Sequence, residues 1–145
     1  MNSRSIVALV ALAIAAQPGL AAEIGRVKRS TGIATIERGK AKVPTAPGTQ
    51  LQTGDVLVTG KDGQIALTFI DDTRFAVGPN SRVALSQFAY DRTRQTGSFL
   101  TDVNRGSVAV VSGQIAKSGR DAMKVRTPTA LLGVRGTRFI VEAGK

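Results

Sequence analysis

Asp71-Asp72 is the only adjacent pair of acids in the sequence, and paired carboxylates are what acid–base hydrolysis of a glycosidic bond requires. Neighbouring residues of a strand point to opposite faces, so these two carboxyl groups cannot readily flank one substrate. As turn residues, with an Asp carboxylate accepting nearby backbone N–H groups, they have a direct structural use. A calcium site there would lack the dense Asp/Asn/Gly spacing of loops that bind the ion. Gly133-Val134-Arg135-Gly136 has the two-glycine spacing of phosphate-cradling loops, but no Gly-Lys-Ser/Thr ending and no helical pattern after it. Gly133 and Gly136 are expected instead to allow a bulge or a tight backbone approach inside a β segment. The chain has no Cys and no His, which excludes disulfides, thiolate catalysis, His-based triads and the ordinary zinc ligand sets. No motif sets a Ser beside a base. These residues point to a protein that is not an enzyme and uses no metal or cofactor.

The elements that must position them are strands. Between Gly54 and Phe88 four apolar runs follow one another, at 56–58, 65–69, 75–77 and 83–85. Within each, the bulky residues sit two apart (Val56/Val58, Ile65/Leu67/Phe69, Phe75/Val77, Val83/Leu85), which puts them on one face and Ala or Thr on the other. Turn residues fill every gap: Gly60 to Gly63, Asp71 to Thr73 and Gly78 to Ser81. The fold class is all-β. Short, even steps favour a twisted, solenoid-like or two-layer meander of antiparallel or stacked strands over a closed barrel. Elsewhere, 31–38 is expected as one strand, 39–48 as a loop and 90–97 as an exposed hairpin loop. Residues 98–103 and 107–112 are expected as two strands joined by the turn Asn104-Arg105-Gly106, with a mixed, flexible stretch at 113–122. The segments 123–127 and 130–142 close the chain.

Residues 1–21 carry a positive start at Arg4, an apolar run from Ile6 to Ala16 and small residues before the expected cleavage after Ala21 or Ala22. They are expected to be a secretory signal peptide. Eleven apolar residues fall short of the roughly 18–20 that span a bilayer, so no transmembrane anchor is expected after cleavage. Residues 22–47 then supply a first strand and loop of the same domain, 48–142 its core and 143–145 a tail. Loss of the leader removes one positive charge from the net +10. Such a basic chain is drawn to anionic surfaces, including acidic polysaccharide. Its cations are scattered and its aromatics are 4% of residues, so nucleic-acid binding is not expected.

Gly54-Asp55, Thr59-Gly60, the Leu67-Thr68-Phe69 and Asp72-Thr73 step, and Gly78-Pro79-Asn80-Ser81 stand in the order of the FecR domain family. The ending Thr127-Pro128, Gly133-Val134-Arg135-Gly136-Thr137 and Phe139-Ile140-Val141 is its most specific part. From roughly Gly48 to Glu142 the chain resembles that family closely. The resemblance implies an all-β extracytoplasmic module. In transmembrane members it relays signals from an outer-membrane receptor, often one for ferric siderophores, to a cytoplasmic sigma factor. This chain is expected to be the bare domain exported alone, in the periplasm or secreted from a Gram-negative bacterium, so the iron-signalling role is not carried over. Its expected role is a protein-interaction module for another envelope protein; the alternative is a binding module for peptidoglycan or lipopolysaccharide. Gly54, Asp55, Thr59, Gly60, Asp72, Thr73, Gly78, Asn80, Thr127, Pro128, Gly133, Arg135, Gly136, Thr137 and Phe139 are the candidate structural or interaction positions. Arg135 is expected to tie the last strand to Asp72 or, second, to Asp55, because its planar fork suits a carboxylate.

Overall fold

Alternation of bulky and small residues carries the chain through the strands β1 (Gly25–Thr31), β2 (Ala34–Arg38), β3 (Ala41–Pro44), β4 (Gln50–Leu51), β5 (Val56–Thr59) and β6 (Gln64–Phe69). β7 (Arg74–Val77), β8 (Arg82–Asp91) and β9 (Thr96–Val111) follow, then a helix α1 (Gln114–Ser118), β10 (Met123–Arg126), β11 (Leu131–Val134) and β12 (Arg138–Ala143). This computed structural model describes residues 22–136 and 138–144; the expected leader and Thr137 lie outside the described residues. With about 59% strand and 4% helix, the protein is all-β, an open, curled sheet shaped as a half-barrel. No helix among the described residues is long and apolar enough to cross a membrane.

The sheet has two wings that share β9. One runs β4-β1-β6-β7-β9-β12 and the other β3-β2-β5-β8-β9-β10-β11. All pairings are antiparallel except β9 with β10. The inward faces meet in one apolar core, with Val27, Leu67, Phe75 and Val110 from the first wing against Ile36, Leu57, Leu85 and Phe99 from the second. Phe99 joins the wings: its ring centroid lies 4.8 Å from that of Phe69 and 5.6 Å from that of Phe75. Each such side chain, removed from water, stabilises the fold by about 1.5–3 kcal/mol.

Five local expectations are corrected. Residues 98–112 form no hairpin: β9 passes straight through Asn104-Arg105-Gly106. Gly106, at φ 90°, bends the strand so that it leaves β8 and joins β7. The segment 31–38 is two strands, because Gly32 at φ 64° turns the chain from one wing into the other. The expected loop at 39–48 contains β3, which pairs with β2 and ends on Pro44, at a sheet edge where a missing N–H does no harm. The loop expected at 90–97 shrinks to Arg92–Gln95, held by Asp91 Oδ1 accepting from the N–H groups of Thr93 (2.9 Å) and Arg94 (3.1 Å). At 113–122 a short helix buries Ile115 and Ala116.

Candidate functional site

The residues singled out in the sequence fall into separate clusters, and each serves the backbone. Gly54 (φ 90°) and Asp55 make the turn before β5. The Asp55 side chain is fully buried; it accepts Arg38 Nε and Nη2 at 2.9 Å each and the Gln52 N–H at 2.9 Å. The hydrogen bond to Asp55 raises the Arg38 pKa further above its ordinary value. Such a bidentate, charge-assisted pair fixes both groups.

Thr59, Gly60, Gly78 and Asn80 meet where the chain passes between the wings. Thr59 Oγ1 donates to Gly78 O (2.6 Å) and accepts the Ser81 N–H (2.9 Å), while Asn80 N–H donates to Gly60 O (3.0 Å). Asn80 itself adopts φ 51°. Ser81 Oγ accepts the Ser107 N–H at 3.0 Å and so fastens the bend of β9 to this corner.

Asp71, rather than Asp72, is the working acid of its pair. Buried completely, it accepts Thr73 N–H (3.1 Å), Thr73 Oγ1–H (2.7 Å) and the Ile115 N–H of α1 (3.2 Å). Thr73 Oγ1 in turn accepts the Gly113 N–H at 3.1 Å. Asp72 is exposed, at φ 70°.

Thr127-Pro128 open the turn between β10 and β11, where Thr127 Oγ1 accepts the Ala130 N–H at 3.1 Å. Gly133 sits in β11, where a Cβ would come within 2.7 Å of Asp121 Oδ1; Gly136 has φ 113° in the turn to β12. Gly136 thus takes a conformation that favours glycine, in a turn rather than at a bulge, whereas Gly133 lies in regular register with β10 and meets only the Asp121 side chain. The tie expected of Arg135 is absent: Arg135 is exposed and pairs with neither acid, because Asp55 is already held by Arg38 and Asp72 faces solvent. Phe139 is half-buried on the core side of β12.

A large groove lies elsewhere, on the outer face of the first wing. Register aligns Ala66, Ala76 and Ala109 side by side across β6, β7 and β9, continuing to Arg29 on β1 and Ile140 on β12. The next row is Thr68, Arg74, Val111 and Arg138. Three small side chains in line make the floor of a groove of about 790 Å³. From β1 to β12 it crosses four strand spacings, roughly 19 Å. A bulge in β1 between Val27 and Arg29 adds Lys28 to the lining, beside Arg74 and Arg138. No Asp or Glu lines this groove. Its lining charges are Lys28, Arg74 and Arg138, while Glu142 lines the adjoining hollow over the same alanines, so its basic end can take an apolar surface that carries acids.

Of the candidate positions, Phe139 alone borders the groove, and its side chain packs against the core rather than into it. The signal for the rest was the small-residue face of β6 and β7, legible as a face but not as a floor.

Comparison with known proteins came to one result. The family model described as FecR protein matches residues 55–145. No curated protein and no solved structure matches the chain.

Proposed function

The chain belongs to the FecR family, and from that premise we propose that it is a non-catalytic regulator-type domain acting in the bacterial envelope as a protein-interaction module. The groove on the first wing, with Lys28, Arg74 and Arg138 in its lining, carries this reading. Its alanine floor lets an extended or helical segment approach the sheet closely, and Lys28, Arg74 and Arg138 suit acidic residues on that segment. The family's sequence motif then builds the frame, and the groove makes the contact. Nothing in the polar clusters supports catalysis, since each buried acid is committed to Arg or to backbone donors.

The positive walls also suit an anionic envelope polymer, and salt separates the two readings. Polymer binding through Lys and Arg collapses as ionic strength rises, whereas a partner seated on the alanine floor keeps its apolar contribution. The test is affinity capture from periplasmic extract with the wild type and with the Lys28→Glu/Arg74→Glu variant. A discrete protein, retained by the wild type in high salt and lost by the variant, is expected. Equal capture by both proteins would overturn the assignment of the groove.

A further inference from the structure

The first wing ends on an open edge. β12 pairs with β9 on one side and, among the described residues, with no strand on the other. Open edges are templates for further pairing, and natural sheets blunt them with Lys, Pro or very short strands. The far ends of both wings are blunted in this way: β4 of the first is two residues long, and β3 of the second carries Lys42 and Pro44. β12 has six residues, no Lys and no Pro, and presents Ile140 at 69% exposure.

Its sequence is complementary to itself. In an antiparallel pair centred on Ile140, Ile140 faces its own copy, Arg138 faces Glu142 of the second chain, and Glu142 faces the second Arg138. All three side chains point to the outer face of the wing, where their exposure shows the same alternation. One opposite-charge pair thus occurs twice around a central apolar contact, which is what an isologous two-fold interface requires. β11, the open edge of the other wing, exposes Leu131 and Leu132 but has no charges to set a register.

We propose that the protein forms a symmetric dimer by antiparallel β12–β12 pairing centred on Ile140. The two-fold axis stands normal to the sheet, so both alanine floors lie on the same side and join across it. Ile140, at the margin of each groove, becomes part of a shared floor.

Sedimentation equilibrium from micromolar to millimolar protein tests this. The wild type should show a monomer–dimer equilibrium. Glu142→Arg and Arg138→Glu each set like charges opposite one another twice, and each should weaken dimerisation on the order of tenfold. The double variant Arg138→Glu/Glu142→Arg restores opposite charges and should recover the dimer. Ile140→Lys should abolish it. The Ile140 and Glu142 side chains are exposed, so Ile140→Lys and Glu142→Arg should melt close to wild type; Arg138 has an interaction within its own chain, so far-UV circular dichroism verifies folding of the Arg138 variants. Amide exchange in β12 should slow as protein concentration rises. A wild type that stays monomeric throughout, a dimer indifferent to the single reversals, or a double variant that fails to recover would each overturn the proposal.

Discussion

Removing the Asp71 carboxylate should unfasten α1 from the turn between β6 and β7. Three hydrogen bonds reach this fully buried group, from Thr73 N–H, Thr73 Oγ1–H and Ile115 N–H, and the last spans 44 residues of chain. A hydrogen bond to a charged group contributes about 1.5–3 kcal/mol, so three sum to about 4.5–9 kcal/mol. Bonds within one network are not additive, and water entering the space left by Asp71→Ala recovers part of the loss. The expected cost is about 4 kcal/mol, against a total stability of about 5–15 kcal/mol. Asp71→Asn separates charge from geometry. Its carbonyl oxygen can still accept Thr73 Oγ1–H and Ile115 N–H, but its amide then faces the Thr73 N–H, donor against donor. About 2 kcal/mol is expected there. Urea unfolding followed by circular dichroism measures both, and Asp71→Ala should lower Tm by about 15 °C. A loss below about 1 kcal/mol for Asp71→Ala would refute the reasoning, since an acid so buried and so bonded cannot be dispensable.

Two further predictions concern backbone and pH. Gly106→Ala should cost more than Gly136→Ala: both positions have positive φ, but a Cβ at 106 collides with Ser81 while one at 136 meets nothing nearer than 3.5 Å. The strain at 136 alone is worth about 1–3 kcal/mol, and equal melting temperatures for the two variants would contradict the crowding at the bend. Asp102 is held below its ordinary pKa of 3.8, chiefly by the hydrogen bond from Arg126, with Ser86 adding to it. Its contribution is complete above that value and is lost as pH falls below it toward the folded value, so Arg126→Ala should begin acid unfolding at higher pH than wild type. Superimposable acid titrations of ellipticity would count against the pair.

Strands β6 to β8 were legible because each buries one face and returns through Gly, Asp or Asn within a few residues, so period and punctuation agree; in β5 the spacing of Val56 and Val58 named the wrong face, since Leu57 and Thr59 are the buried pair. β9 was not. Asn104-Arg105-Gly106 serves a hairpin turn and a strand bend equally well, and the choice is made by Ser81 and Gly78, more than twenty residues away. β3 was hidden because its residues are mostly exposed and its partner β2 lies across a two-residue turn at Gly39-Lys40. A helix of five residues such as α1 shows no period at all. The candidate positions were legible as a motif, yet their duties came out as corners and staples, because hydrogen-bond partners at long range leave no local mark. Asp71 was set beside Asp72 without a sign of which was buried. The groove depends on register alone. Ala66, Ala76 and Ala109 become neighbours only when the β6–β7 hairpin aligns with β9, far along the chain.

The passage of β9 through both wings also governs the order in which the molecule can be assembled. Its partners β7, β8, β10 and β12 lie on both sides of it in the chain, and neither wing has its central strand until Val111 has been made. A growing chain stopped before that point holds β1 to β8 with no seam between the halves. Contacts this distant in sequence close slowly, in milliseconds to seconds for topologies of this kind. Once the seam forms, neither half can open without stripping the same strand from the other. The two wings are thus one cooperative unit, expected to unfold in a single transition at any probe position.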